Sequence, residues 1–459
     1  MKSTPPFDPT RRKFVQSCCA AVGTTGLLSA LAQLRAIGAV AADASAGSGD
    51  YKALVCLFLN GGNDANNVII PTDATDYAAY AKSRGVLAIP SNSLLSIGLK
   101  NYSDGRSYGL HPSLTEVQSL YNQGNLAFVT NVGTLLRPTT LADFQAGIAL
   151  PPQLFSHSDQ QVQWQSSVPD QPFLTGWGGR LADAVEAMNS NNTVSMSISV
   201  AGTNSFQVGR TVSQLAVSPA GATVLSGYGS SGNYQVRYNA MKALSDQAQP
   251  DLLTTAFGGA FDGSIAASEQ LKSVLGTGHT FQTVFPGSTI GQQLKTVAQL
   301  IAAAPQLGLT RQIFFTQLYG WDMHGSQLSA HGPLLAELSA ALQSFYNATV
   351  ELSLADQVTT FTASDFGRTY TTNGQGTDHG WGNHQLVMGG AVKGGDLYGQ
   401  MPSLQLGGPD DVGRGRWIPN VSVDQYSSTI AQWFGVSAAN LPVVLPNLSR
   451  FSVGNVAFL

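Results

Sequence analysis

Residues 51–64 read Tyr51-Lys52-Ala53-Leu54-Val55-Cys56-Leu57-Phe58-Leu59-Asn60-Gly61-Gly62-Asn63-Asp64. An apolar run of this length without polar alternation is the pattern of a strand buried on both faces, as in a parallel sheet covered by helices. The Asn-Gly-Gly-Asn-Asp tail ends the run and opens a loop at the strand's C-terminal end. Two later stretches repeat the arrangement. Gln312-Ile313-Phe314-Phe315-Thr316-Gln317-Leu318 leads into Gly320-Trp321-Asp322-Met323-His324, and Val358-Thr359-Thr360-Phe361-Thr362 leads into Ser364-Asp365-Phe366-Gly367-Arg368. Helical spacing is predicted over residues 111–123, 174–188, 290–304, 333–352 and 426–434, with further strands over 126–129, 194–200 and 386–392. Strands alternating with helices predict an α/β fold, a doubly wound and mostly parallel sheet with helices on both faces. Residues 203–285, rich in Gly, Ser, Thr and Gln with weak periodicity, are expected to form an insertion or cap.

In such sheets the functional groups stand on loops at the C-terminal ends of strands. Asp64, the pair Asp322/His324, and Asp365 all take that position. Five of the seven histidines fall in three short, acid-containing stretches: His157 in Phe155-Ser156-His157-Ser158-Asp159, His324 with His331 just beyond, and His379 in Gly376-Thr377-Asp378-His379-Gly380 with His384. Charged residues make up only 11% of the chain, so acids and histidines clustered in this way point to one polar site. Imidazole and carboxylate are the common protein ligands of zinc and manganese, and carboxylate that of calcium. A divalent metal site is therefore expected, with Asp64, Asp322, His324, Asp365, Asp378 and His379 as candidate ligands.

Each candidate has a plainer role beside it. Asp64 could close an Asx turn, Asp365 could cap a helix, and Asp322 could cap the helix that follows while His324 packs on Trp321. Asp378 could ligate the ion or orient His379. His157, His331 and His384 are read as supporting residues behind the ligands, His331 equally as a cap beside Gly332-Pro333. Ser156 precedes a predicted helix, where a hydroxyl could attack a phosphate or sulfate ester in the positive field of the helix terminus, or could simply cap it. Arg368 could clamp an anionic substrate or pair with a carboxylate.

The N-terminus carries a leader pattern. Thr10-Arg11-Arg12-Lys13-Phe14-Val15 is a twin-arginine sequence, residues 18–34 form a short apolar run, and Ala39-Val40-Ala41 offers a cleavage site. A short amphipathic helix with an incidental Arg pair is the alternative. The export reading makes residues 1–41 a signal peptide and 42–459 the mature chain. It places the protein in the periplasm or outside the cell by way of the twin-arginine machinery. The apolar run is too short and too interrupted for a stable membrane span, and no later segment supplies one. Cys18 and Cys19 lie inside the leader and leave Cys56 alone in the mature chain, so no internal disulfide is expected. A net charge of −4 gives no footprint for nucleic acid.

Together Phe58-Leu59-Asn60-Gly61-Gly62-Asn63-Asp64, Ser156-His157, Gly320-Trp321-Asp322-Met323-His324, Ser364-Asp365-Phe366-Gly367-Arg368-Thr369 and Gly376-Thr377-Asp378-His379-Gly380 resemble the bacterial family named domain of unknown function 1501. That family is grouped with the alkaline phosphatase-like and sulfatase-like superfamily. The resemblance spans most of the mature chain. It implies a doubly wound sheet, one or two metal ions held by Asp and His, and in-line attack on a phosphate or sulfate ester. Asp64 would match the first-strand metal Asp, Asp322 and His324 the central pair, Asp365 the next acid and His379 the late His. Two ions about 3.5–4 Å apart would stabilise both the attacking and the leaving oxygen. Two features depart from the pattern. Phe366 stands where better-understood members follow the acid with His or Asn, which implies a single-metal or altered site. Ser156-His157-Ser158 stands where the family commonly shows Ser-His-Phe, and without a Cys/Ser-x-Pro-x-Arg motif a formylglycine activity is not expected.

The resulting expectation is an exported metal-dependent hydrolase acting on an anionic small-molecule or glycan ester. Its alternative is a non-catalytic binding or assembly protein on the same scaffold. A redox enzyme is disfavoured, because the chain has neither a Gly-x-Gly-x-x-Gly fingerprint nor a Cys cluster.

Overall fold

The computed structural model describes residues 51–219, 231–245, 252–276, 278–452, 454 and 456–459. The twin-arginine leader at residues 1–41 lies outside the described residues. Twelve strands are found among those described: β1 (Lys52–Asn60), β2 (Ile69–Pro71), β3 (Leu95–Ile97), β4 (Tyr108–Leu110), β5 (Leu126–Gly133), β6 (Ser197–Ser199), β7 (Leu215–Ala216), β8 (Arg311–Tyr319), β9 (Val358–Ser364), β10 (Asn383–Met388), β11 (Leu397–Gly399) and β12 (Val421–Ser422). Nine of them form the main sheet in the order β11-β5-β10-β9-β1-β8-β6-β7, with β12 beside β5. β2, β4 and β3 make a small separate sheet.

β1 lies at the centre, parallel to β8 on one side and to β9 on the other. Its residues from Ala53 to Leu59 are all buried, as expected of a strand with helices over both faces. The helices Thr115–Asn122, Thr289–Ala302 and Gln327–Glu351 pack on one another on one side. The helices His157–Ser166, Trp177–Val185 and Val423–Phe434 lie against the other, where Trp177 packs on Phe361 and Tyr426 on Phe361. The sheet is mixed but mostly parallel. β10 is the exception, running antiparallel to both β5 and β9.

Two sequence expectations change. The helix expected from residue 333 begins at Gln327 and carries Pro333 in its interior, so His331 is inside the helix and does not cap it. The strand expected over 386–392 spans Asn383–Met388, because His384 and Gln385 are polar yet buried between β5 and β9. Within the stretch 203–285, expected as an insertion or cap, the described residues touch the core in places. Phe206 is buried against Trp177, Leu215–Ala216 extends the sheet edge, and the helices Gly232–Ser245 and Leu252–Gly276 follow. Among the described residues no helix is long and apolar enough to cross a membrane.

Candidate metal centre

The C-terminal ends of β1, β8 and β9 share one edge of the sheet because the three strands are parallel. β10 runs the other way, so its N-terminal end, preceded by the His379 loop, reaches the same edge. The loops close tightly there. Gly61 has φ +120°, and a Cβ on it would stand 2.4 Å from the backbone nitrogen of Asp322. Only glycine lets the β1 and β8 loops touch in this way. The helix His157–Ser166 lies against β9 and presents His157 at its first turn.

Three histidines and one carboxylate meet at this edge. His157 Nε2 is 3.1 Å from His379 Nε2 and 3.4 Å from Asp322 Oδ2. His379 Nε2 is 3.5 Å from Asp322 Oδ1. His157, Asp322 and His379 form a group whose donor atoms are mutually close enough to hold one metal ion. His324 adds a fourth donor on the open side, its Nε2 2.9 Å from His379 Nε2 and 3.1 Å from Asp322 Oδ1. Tetrahedral zinc with ligand bonds near 2.0–2.2 Å separates its ligand atoms by about 3.3 Å, within the 2.9–3.5 Å spread of these contacts.

The tautomers are set from behind. His157 Nδ1 is 2.6 Å from Asp365 Oδ2, His379 Nδ1 is 2.7 Å from the Phe155 carbonyl, and His324 Nδ1 is 3.1 Å from Asp378 Oδ1. Carboxylates and carbonyls accept, so each Nδ1–H donates and each Nε2 presents its lone pair to the centre. A proton on one ring serves one such contact at a time, whereas a divalent ion serves all of them. In the metal-free protein the hydrogen bond to Asp365 raises the pKa of His157, while burial lowers that of His379. A metal therefore competes with a proton on His157 for the same place. Burial would raise the pKa of Asp322, but the hydrogen bond and charge of Arg368 outweigh it and keep the carboxylate ionised.

The other candidates take varied places. Asp365 is fully buried and accepts from His157, from Gln161 Nε2 at 2.8 Å and from the Gly61 amide at 3.0 Å. It braces a ligand. Asp378 braces His324, not His379, and pairs with Arg414. Asp64 is buried, with one oxygen held by Arg84 and Gln327 and the other accepting from Asn66. Burial raises its pKa, the Arg84 charge lowers it, and the net shift is downward. The structure thus gives Asp64 a guanidinium partner where the resemblance implied a metal. Arg368 is buried too. Its donors end on Asp322 at 2.8 Å, the Gly61 carbonyl at 3.1 Å, and Thr377. Of the two roles open to Arg368, its contacts are those of carboxylate pairing.

Ser156 occupies the N-cap position, its carbonyl accepting from the Gln160 amide while its side chain makes no cap bond, and its hydroxyl donates to Asp159 Oδ2 at 2.5 Å. His331 donates to Asn63 Oδ1 at 3.1 Å, and His384 Nδ1 accepts the Asn131 amide at 3.0 Å. Burial pushes both rings down to about 4, so both are neutral, and neither belongs to the metal group. His157, expected behind the ligands, stands among them. The Ser156-His157 pair marks the residue in the sequence but not its place among the ligands, which follows from how one helix lies on β9. Arg414 and Arg416 also border the centre, with no motif around them. Arg416 Nε donates to the His379 carbonyl at 2.7 Å.

No curated protein matches this sequence. Solved structures similar to it are distant. PsFucS1 sulfatase from Pseudoalteromonas sp. aligns at 11% identity and a TM-score of 0.36, over 93% of this chain and 74% of that one. The C-terminal periplasmic domain of EcEptC from Escherichia coli, in complex with Zn, aligns at 10% identity and 0.31, over 74% of each chain. The lipoteichoic acid synthase LtaP from Listeria monocytogenes aligns at 7% identity and 0.34, over 85% of this chain and 74% of that one. The sequence profile described as "Protein of unknown function (DUF1501)" matches residues 51–439, and the chain belongs to that family.

Proposed function

We propose that the chain is an exported, metal-dependent hydrolase of phosphate or sulfate esters, acting on an anionic small molecule or a glycan ester. One observation carries the reading: the Nε2 atoms of His157, His379 and His324 converge with Asp322 while every Nδ1 is held from behind. The imidazole-rich set suits zinc or manganese. It suits calcium poorly, because calcium takes oxygen ligands. When bound, such an ion polarises the ester oxygens and lowers the pKa of water.

The chain's own residues supply the rest of the reading. Asp322 and His324 lie on the exposed side and leave an approach for substrate. Ser156 is the protein nucleophile: its oxygen bonds to the phosphorus or sulfur as the bond to the ester oxygen breaks, its proton passes through the Asp159 carboxylate that already accepts its hydrogen bond to the departing alcohol, and water then cleaves the phospho- or sulfo-serine. Asp365 and Phe155 keep His157 and His379 aimed. One observation favours the second reading, a metal-binding scaffold without catalysis. Arg368 is spent on Asp322, Gly61 and Thr377 and offers nothing to a substrate.

The test is metal analysis of the mature protein, purified from its exported form without chelators, followed by assays on phosphate and sulfate esters with the metal found. About one equivalent of metal is expected in the wild type. It should be lost in Asp322→Ala and His379→Ala. Unchanged metal content in both variants removes this ligand set. Bound metal without turnover of either ester class selects the scaffold.

A further inference from the structure

We propose that Arg416 is the anion-binding residue of this centre and that its bidentate fork selects substrates carrying a tetrahedral oxyanion, a phosphate or sulfate ester and not a carboxylic ester. The inference rests on the hydrolase reading above and names the residue that would recognise its substrate class.

Charge pairing singles Arg416 out. Around the site Arg84 is neutralised by Asp64, Arg368 by Asp322 and Arg414 by Asp378. Arg416 has no carboxylate within ion-pair distance among the described residues, and its Nη1 and Nη2 meet no acceptor there. The side chain is nonetheless held. Nε donates to the His379 carbonyl at 2.7 Å, and the guanidinium carbon lies 4.8 Å from the centroid of the Phe155 ring. One hydrogen bond and one stacked face fix the plane of the group and leave its outer edge free. A half-buried, oriented guanidinium with two vacant donors is the arrangement that takes two oxygens of one anion.

The same contacts tie this fork to the metal group. Phe155 stacks on Arg416 and turns its carbonyl to His379 Nδ1 at 2.7 Å. It does so at φ +72°, a left-handed conformation that costs a non-glycine residue energy and that persists where its surroundings hold it. His379 is thus gripped at its ring by Phe155 and at its backbone by Arg416, and its Nε2 faces His157 and His324. A fork anchored on the backbone of a ligand residue stands beside whatever binds there. Two vacant donor nitrogens, Nη1 and Nη2, match two terminal oxygens. Phosphate monoesters and sulfate esters keep such oxygens, and a neutral carboxylic ester does not.

The experiment titrates inorganic phosphate and inorganic sulfate into metal-loaded wild type, Arg416→Gln and Arg416→Lys by calorimetry, with metal content measured on each sample. We expect Arg416→Gln to raise the Kd about 10- to 100-fold, at about tenfold per 1.4 kcal/mol, with metal content unchanged. Arg416→Lys, which restores charge without the fork, should recover part of the loss. Equal binding by wild type and Arg416→Gln overturns the proposal, as does a wild type that binds neither anion at millimolar concentration. Loss of metal in both variants also overturns it, since Arg416 would then act only through His379. A wild type that binds phosphate through Arg416 yet hydrolyses no ester sinks the hydrolase reading and leaves the anion site standing.

Discussion

Replacing Asp365 by Asn tests the bracing of the centre with almost no change of shape. Asp365 is buried, and both its oxygens accept: Oδ1 from the Gly61 amide at 3.0 Å, Oδ2 from His157 Nδ1 at 2.6 Å and Gln161 Nε2 at 2.8 Å. An amide has one accepting oxygen and one donating nitrogen, so one side must meet donor with donor. If the amide nitrogen faces Gly61, a buried amide loses its acceptor, at a cost of about 1–3 kcal/mol in stability. If it faces His157, the imidazole must accept at Nδ1 and carry its proton on Nε2, where it can no longer bind a metal. In both cases the charged acceptor that strengthens His157 as a ligand is gone. Loss of such a partner lowers metal affinity by about 10- to 100-fold, or about 1.4–2.8 kcal/mol. The assay is competition with a chelator of known affinity. Nitrogen NMR of the metal-free protein reads the His157 tautomer, and a thermal melt shows that the variant is folded. A folded Asp365→Asn protein with wild-type metal affinity and an unchanged tautomer would refute the claim that Asp365 sets this histidine.

Three further outcomes follow from the geometry. Asp64→Ala strands the fully buried Arg84 and should cost about 3–5 kcal/mol in chemical denaturation. The variant should still bind one equivalent of metal; two equivalents in the wild type falling to one would make Asp64 a ligand after all. Asp424 is fully buried with Oδ1 unpartnered. Burial pushes its pKa up to about 7, against the pull of Ser167 and Arg180. Its folded pKa thus lies above its unfolded one, so the folded state keeps a proton that the unfolded chain releases. Stability should fall as pH rises from about 4 to 7, by as much as about 4 kcal/mol. Asp424→Asn should remove that dependence, and a wild type and variant that run parallel from pH 4 to 8 in urea denaturation would show otherwise. Gly61→Ala should lower both melting temperature and metal affinity, because its Cβ meets the Asp322 backbone. Gly105→Ala, at φ +84° in open space, carries the backbone strain alone and should leave the metal affinity unchanged.

Much of the scaffold was legible in local pattern. The apolar run of β1 and the β-branched and aromatic segments of β8 and β9 mark strands of a covered sheet, and the polar Gly-containing tails mark loops at one sheet edge. That was enough to bring Asp322, His324 and His379 forward as candidates. Periodicity records which element a segment forms, because burial repeats along the chain at the period of the element. It carries no record of strand direction where both faces are buried. Only the tertiary structure shows β10 antiparallel, and that reversal delivers His379 to the edge where β8 leaves Asp322. It also decided which charges meet. His157 and Asp365 are 208 positions apart, yet their contact makes His157 a ligand candidate and Asp365 its brace. Arg84 neutralises Asp64, and Arg416 is left beside His379 with no carboxylate partner among the described residues. Coulombic and hydrogen-bond energies depend on distance through space and on what else has been desolvated nearby. The sequence alone determined the residues available to the site, and the packing of helices and loops on the sheet decided which of them face one another.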